Sequence, residues 1–361
     1  MPASGRAGLE QVAAHAGVSR ATVSRVVNDV PTVAPELRRR VEESIRALGY
    51  QPNLAARTLV TRRTDTIALV ASEPDVRVFG DPFFSGIVRG VTAEAGTAGL
   101  QLVIMMTQSP EEIRRVSRYL TSGAVDGVLM ISEHESVDPL PPTLQAAAVP
   151  LVIGGRPMQP GVSVPYVDND NVGGARMAAE HLRGLGRTVV GTVAGPQDMT
   201  AGLDRLDGFR AGLGPAFDPD LVEPGDFSQA GGEAATARLL ARAPDLDGLF
   251  AASDLTALGA LKALHDAGRR VPDDVALVGF DDIEVAAFSS PPLTTVRQRT
   301  VLQGRAMVRL LLARIRPDRA VDGGDGIPDA RGVDHLVLPV ELVVRASTVP
   351  PAPAPAPSAP S

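Results

Sequence analysis

The sequence contains no cysteine, so it has neither a disulfide framework nor a thiolate metal site, and its redox compartment cannot be read from cysteine pairing. The five histidines, at 15, 134, 181, 265 and 335, lack the short spacings of metal ligands; a scattered histidine is ordinarily structural or solvated. No uninterrupted apolar stretch of roughly 18 residues occurs, and the start MPASGRAGLEQVAAHAG lacks the apolar run of a signal peptide. No membrane partner and a cytoplasmic location are therefore expected. Basic residues are outnumbered, 35 against 42 acids for a net charge of −7, which argues against a surface coated in nucleic-acid contacts.

That charge is unevenly spread. Residues 1–63 carry ten Arg and five acids, net +5, and leave −12 for the remainder. A length of 361 residues suggests two or three folding units, and such asymmetry marks one anion-binding end.

In the basic end, Leu9, Val12, Ala13 and Ala16 fall at helical spacing and Gly17 stops the helix. Ser19 is placed to cap a second helix over about 20–28, with Val23, Val26 and Val27 on its buried face. Two short helices joined by a Gly-containing turn make a helix-turn-helix. Arg20, Ala21, Ser24, Arg25 and Asn28 face outward, and with Ser19 and Thr22 they form the candidate DNA-reading set. Arg25 is the leading base reader, since a guanidinium bonding guanine O6 and N7 is worth about 1–3 kcal/mol of discrimination. The bland alternative is a solvated helix face. A third helix starts at Pro35, carries Leu37, Val41, Ile45 and Leu48 as a stripe, and ends at Gly49. Beyond it Pro52 breaks the chain and Asn53 caps a helix of about two turns, too short to be stable without a partner.

From Thr66 the pattern becomes apolar runs alternating with amphipathic helices: IALVAS, LQLVIMM and VDGVLMIS, then, after Asp168, TVVGTVAG, DGLFAAS and VALVGFDD. Continuous buried strands separated by helices indicate parallel sheets covered on both faces. Two similar doubly wound halves are expected, with the chain passing between them near 165–168 and returning near 291–296. Ligands of such sheets sit beyond the carboxyl ends of the strands, which singles out Ser72, Arg156, Ser253, Asp254, Asp281, Asp282 and Gln298.

The segments LEQVAAHAGVSRATVSRVVN, GYQPNLAARTL, DPFFSGIVRG, VDNDNVGGARMAAEHL, RLDGFRAGL, SDLTALGAL, VGFDD and PPLTTVRQ together resemble the LacI/GalR family of repressors over nearly the whole chain. The resemblance implies an N-terminal all-α helix-turn-helix domain (1–50), a hinge helix and linker (51–63), and an α/β periplasmic-binding-protein-like body (64–347). That body comprises two doubly wound parallel-sheet subdomains, about 64–166 with 294–318 and about 167–293 with 336–347; a disordered Pro/Ala tail (348–361) follows. It also implies a homodimer on double-stranded operator DNA, with Asn53 capping the hinge helix, Ala56 on its groove side and Leu59 wedging between central base pairs; otherwise Leu59 is a linker residue packed on the body. The family's effector positions fall on Phe84, Arg205, Phe227, Ser253, Asp281 and Gln298, for a small sugar-like effector. Met199 and Ala201 stand where purine-binding members carry polar residues. No cofactor and no metal are implied.

Each position has a plainer alternative: Phe84 and Phe227 as core, Asp281 as a helix cap, Arg205 in a structural ion pair with Asp204 or Asp207. The resemblance also implies that Gly8 and Ala34 stand where the family usually places a hydroxyl-bearing cap, at an expected cost of about 1 kcal/mol each. Stretch 316–334 reads as a long surface loop, and LVLPVELVVR as one strand. The end has no leucine heptad, so no terminal coiled coil is expected. A transport-type binding protein is disfavoured by the missing signal peptide and the Arg25 and Leu59 machinery. An enzyme is disfavoured because adjacent carboxylates such as Asp281 and Asp282 point to opposite faces of a strand.

Overall fold

The computed structural model describes residues 7–27, 32–50, 63–132, 134, 140–158, 163–319 and 324–349. The chain divides between Thr64 and Asp65 into a small head and a large body.

In the head, α1 (Leu9–Ala16), α2 (Arg20–Val27) and α3 (Pro35–Leu48) close over Val12, Val23 and Val41, with Ala16, Val26 and Tyr50 around them. Gly17 takes φ +62°, a conformation that suits glycine, and its amide with that of Val18 satisfies the last carbonyls of α1. Arg40 of α3 donates to the Ala16 carbonyl at 2.6 Å, fastening the turn from below. Ser19 caps α2, its Oγ accepting from the Thr22 amide at 3.1 Å. The expected cap deficit at Gly8 is smaller than about 1 kcal/mol, because Gln11 Oε1 accepts the Gly8 amide at 2.8 Å and glycine is a tolerated cap. Ala34 has no such remedy.

The body contains two parallel sheets. β1 (Thr66–Ala71), β2 (Gln101–Met106), β3 (Gly127–Ile131), β4 (Leu151–Gly154) and β5 (Tyr166–Asn169) lie in the order 2-1-3-4-5. β6 (Val190–Ala194), β7 (Val222–Pro224), β8 (Gly248–Ala251), β9 (Ala276–Asp281) and β10 (Thr294–Arg297) repeat that order as 7-6-8-9-10. The helices are α4 (Asp75–Gly80), α5 (Pro82–Thr97), α6 (Pro110–Thr121), α7 (Leu140–Ala146), α8 (Asn171–Gly184), α9 (Thr200–Leu213), α10 (Gln229–Arg242), α11 (Asp254–Asp266), α12 (Glu284–Phe288) and α13 (Thr300–Ile315). They cover both faces of each sheet: Phe84, Ile87 and Val91 with Met307 and Leu311 on one face of the first, Val116, Leu120 and Leu144 on the other. Leu239, Ala260 and Leu264 against Ala178 and Phe209 do the same for the second. Among the described residues no helix is long and apolar enough to cross a membrane.

Strand pairing moves the expected subdomain boundaries. β5 pairs with β4, so the first half runs through Asn169 rather than 166; β10 pairs with β9, so 294–297 belong to the second half and not the first. The run LVLPVELVVR is two strands. β11 (His335–Leu338) joins β5 in the first sheet, and β12 (Glu341–Val343) joins β10 in the second, antiparallel. Pro339, which has no amide to donate, stands at the break, so residues 336–338 lie in the first half and not the second. The chain therefore crosses three times, after β5, after β10 and after β11. Stretch 316–334 is a loop only in part: Ile327 and Ala330 are buried in the first half, and Asp325 pairs with Arg305 at 3.0 Å.

Candidate functional site

Each sheet reverses its winding beside its first strand, so the carboxyl ends of both sheets open on one crevice. The cavity there holds about 710 Å³ of atom-free space, counting what opens to solvent. Phe84, Arg205, Phe227, Ser253, Asp281 and Gln298 all line it. Of the polar residues expected after strands, Arg156 also lines it, whereas Ser72, Asp254 and Asp282 do not.

Arg205 is the centre of the site. Gly202, one turn earlier on α9, has no room for a Cβ, which would fall 1.8 Å from the Pro196 carbonyl oxygen; this contact seats α9 on the loop leaving β6. Arg205 is only 5% exposed. Its Nε donates to Asn171 Oδ1 at 2.9 Å, Nη1 donates to the Ala252 carbonyl at 2.5 Å, and Asp281 Oδ1 lies 3.4 Å from Nη1. The guanidinium lies 3.7 Å from the Phe280 ring centre and 5.3 Å from that of Phe227. Nη2 has no partner among the described residues. Neither Asp204 nor Asp207 is its partner: Asp204 takes Arg156 at 2.6 Å and Asp207 takes Arg210 at 3.6 Å.

Asp281 is not a helix cap. It accepts from Gln298 Nε2 at 2.6 Å, while Ile283 begins α12 without a side-chain cap. Its neighbour Asp282 is gripped by Arg297 at 2.5 Å and Arg345 at 2.6 Å, behind the strand end. Both aspartates have positive φ, +118° and +57°, a strain that surrounding structure must hold. Asp254 sits behind the cavity wall, accepting from Thr295 Oγ1 and the Ile283 amide. Burial pushes the Asp281 carboxyl up to about 7, against the pull of Arg205, and burial pushes Asp168 up to about 6. Asp81 is raised for the same reason. Three arginines and three aspartates thus line the cavity, and each arginine already has an acidic partner: Arg77 has Glu73, Arg156 has Asp204, Arg205 has Asp281.

The walls are aromatic. Phe84 is 1% exposed and packs edge to face on Phe83 at 5.3 Å; it serves the core and the cavity at once. Phe227, at φ +64°, lies between Arg205 and Arg77, with Met199 and Ala252 behind it. Arg77, Asp81, Asn171 and Gln303 line the cavity without having been singled out from the sequence. Only Asn171 left a usable trace, in the polar run 168–171 between a strand and a helix.

In the head, Ser19, Arg20, Ala21 and Arg25 are exposed on the outer side of α2, and Thr22 and Ser24 half-buried. Arg20 makes a long contact with Glu10 at 3.5 Å, between two exposed side chains. Arg25 has no partner among the described residues. Asn28, Asn53, Ala56 and Leu59 lie outside the described residues.

Residues 8–53 match the bacterial regulatory proteins of the lacI family, and residues 179–348 match a periplasmic binding protein-like domain. The HTH-type transcriptional regulator CelR of Thermobifida fusca is 50% identical over 343 residues, 94% of this chain and 97% of that one. The chain belongs to the LacI family. The ribose operon repressor of Halalkalibacterium halodurans is 35% identical over 351 residues, 94% of this chain and 96% of the relative. Among solved structures, a lac repressor dimer bound to operator superposes with a TM-score of 0.80 at 28% identity, covering 95% and 99% of the two chains. A CelR–cellobiose complex superposes at 0.73 with 47% identity, covering 95% and 100%. This LacI-family member is a DNA-binding transcriptional regulator with an effector-binding body, and it is not an enzyme.

Proposed function

We propose that the chain is a cytoplasmic, dimeric repressor that binds a pseudo-palindromic operator and responds to a neutral sugar of the cellobiose kind. The observation that carries the ligand class is the state of the cations. A phosphate or carboxylate ligand needs an uncommitted positive charge, and all three lining arginines are already paired with acids. A neutral polyol needs oriented donors and acceptors between flat apolar walls. Arg205 Nη2, Asp281, Ser253 and Gln298 supply the first, Phe84 and Phe227 the second. CelR, half identical to this chain, has been solved with cellobiose, which makes that disaccharide the first probe.

On the DNA side, Ser19, Arg20, Ala21, Thr22, Ser24, Arg25 and Asn28 are the proposed major-groove set. Segment 51–63 is the proposed hinge, with Asn53 as its cap and Ala56 and Leu59 entering the minor groove when two copies pair. A helix that short folds only against a partner, so a ligand-dependent change in the separation of its two anchors, with a coupling of about 1–3 kcal/mol, decides whether it forms.

The test is a calorimetric titration with cellobiose, glucose, ribose and glucose 6-phosphate, followed by gel shifts at fixed salt. Cellobiose should bind and change operator affinity, and Arg205→Ala should abolish the response while sparing DNA binding. Preferential binding of the phosphorylated sugar sinks the reading.

A further inference from the structure

At the mouth of the cleft, beyond Arg77, a histidine lies between two carboxylates that belong to opposite halves. His134 follows β3 in the first half. Its Nε2 is 3.2 Å from Oε1 of Glu73, which follows β1, and its Nδ1 is 2.8 Å from Oδ2 of Asp198, in the loop leaving β6 of the second half. Arg77 of α4 holds the same Glu73 oxygen at 2.8 Å, and Glu73 is 3% exposed. Carboxylates accept and do not donate, so an imidazole bonding to both must donate from both nitrogens, which only its protonated form does. The geometry is therefore that of an imidazolium bridge. The second bridge across the mouth, Arg156 to Asp204 at 2.6 Å with the Thr200 hydroxyl on the Arg156 carbonyl at 2.8 Å, is built on a guanidinium that does not titrate.

We propose that His134 is a positioning residue for the effector site: as an imidazolium linking Glu73 to Asp198 it latches the two halves shut, and so sets how long a bound sugar is retained. The latch rests on the sugar-effector reading for its consequence, but not for its existence. Arg156 and Asp204 hold one side of the mouth at every physiological pH, while His134 holds the other only when charged.

Its direction with pH follows from the neighbours. Glu73 and Asp198 hold the His134 pKa above the usual histidine value, against the opposing effect of burial; Arg77 is the cation that shares Glu73. Separation of the halves removes Asp198 and lowers that pKa again. Closure then takes up a proton, and the stabilisation present at low pH is lost as the pH rises through the raised value. The Asp168 and Asp281 carboxyls titrate nearby, so the pH profile of the wild type alone does not isolate the latch; a comparison with His134→Gln does, because those carboxyls are common to both.

Two measurements on the full chain decide the matter. Without ligand, the His134 ring, assigned by its loss in His134→Gln, should titrate above the ordinary histidine range by NMR and fall toward it in Asp198→Asn; an unchanged titration overturns the latch. With cellobiose as probe, stopped-flow dissociation should be about fivefold slower at about pH 6 than at about pH 8 in the wild type relative to His134→Gln, the size expected of one partly exposed pair. Parallel rate profiles in the two proteins overturn the positioning role. Failure of cellobiose to bind at any pH counts against the proposed effector, and the NMR titration still decides the latch.

Discussion

Arg25 in the head and Arg205 in the body are the same side chain prepared in opposite ways. Arg25 stands in solvent with no partner among the described residues. Arg205 is buried, fixed by Asn171, Ala252 and Asp281 and stacked on Phe280. DNA brings a polyanion and a counterion atmosphere, so its reader is best left solvated, with its partner supplied on contact. The neutral sugar proposed for the body brings only hydroxyls. Its reader must be oriented in advance, because each hydrogen bond made in the complex replaces one made to water.

The comparison is most easily broken at Arg205. Arg205→Ala leaves buried Asp281 with Gln298 but no cation and empties the space between two phenylalanines; where Asp281 is ionised, breaking a buried pair in this way costs about 3–5 kcal/mol. Thermal unfolding should register the loss in the body, and effector response should vanish. Retention of the response with stability intact places the ligand elsewhere. Asp281 gives the matching acid-side test. Its folded-state pKa, about 7, lies well above the usual carboxylate value, so stability present at low pH is lost as pH rises from about 4 through about 7. Asp168, at about 6, contributes in the same direction. Replacing Asp281 with Asn should flatten the dependence of Tm on pH across that window, and profiles that run parallel to the wild type refute the assignment.

Arg25 is the next step down. Arg25→Ala should lose about 1–3 kcal/mol of discrimination between operator and competitor, measured by gel shift at fixed salt. Arg25→Lys sharpens the point, keeping the charge and most of the salt dependence while losing the planar fork, so discrimination should fall with little change in the salt slope. Unaltered selectivity in both variants excludes Arg25 as a base reader.

These two arginines were also unequally legible. The helix-turn-helix could be read because its signals are local: Gly17 at a helix end, Ser19 at a helix start, valines at helical spacing. The buried strands of both halves were legible for the same reason. What local pattern cannot carry is pairing across the chain. β11 and β12 read as one run because nothing but Pro339 marks the place where the chain changes sheets. Arg205 could be placed in the pocket by resemblance, but its partners come from residues 171, 252 and 281, and no spacing foretells them. His134 is the sharpest case. Judged by the distance to other histidines it looked isolated, yet the fold gives it Glu73, 61 residues before it, and Asp198, 64 after.

The smallest effect tests whether head and body differ in the rules of local structure or only in what their side chains await. Ala34 opens α3 with no side-chain acceptor, whereas Ser109 opens α6 of the body with its Oγ accepting from the Glu112 amide at 3.3 Å. If capping obeys one rule, Ala34→Ser should stabilise the head by about 1 kcal/mol and Ser109→Ala should destabilise the body by a similar amount. Gly8→Ser should gain only a few tenths, because glycine is already a fair cap and Gln11 serves the Gly8 amide. Hydrogen exchange at the first turns of α1, α3 and α6 in the full chain reads all three. A gain at Gly8 as large as that at Ala34 refutes the account of α1. Gains in the head with no loss in Ser109→Ala imply that body helices owe their starts to packing, which Val116 and Leu120 of α6 already supply from inside the first half.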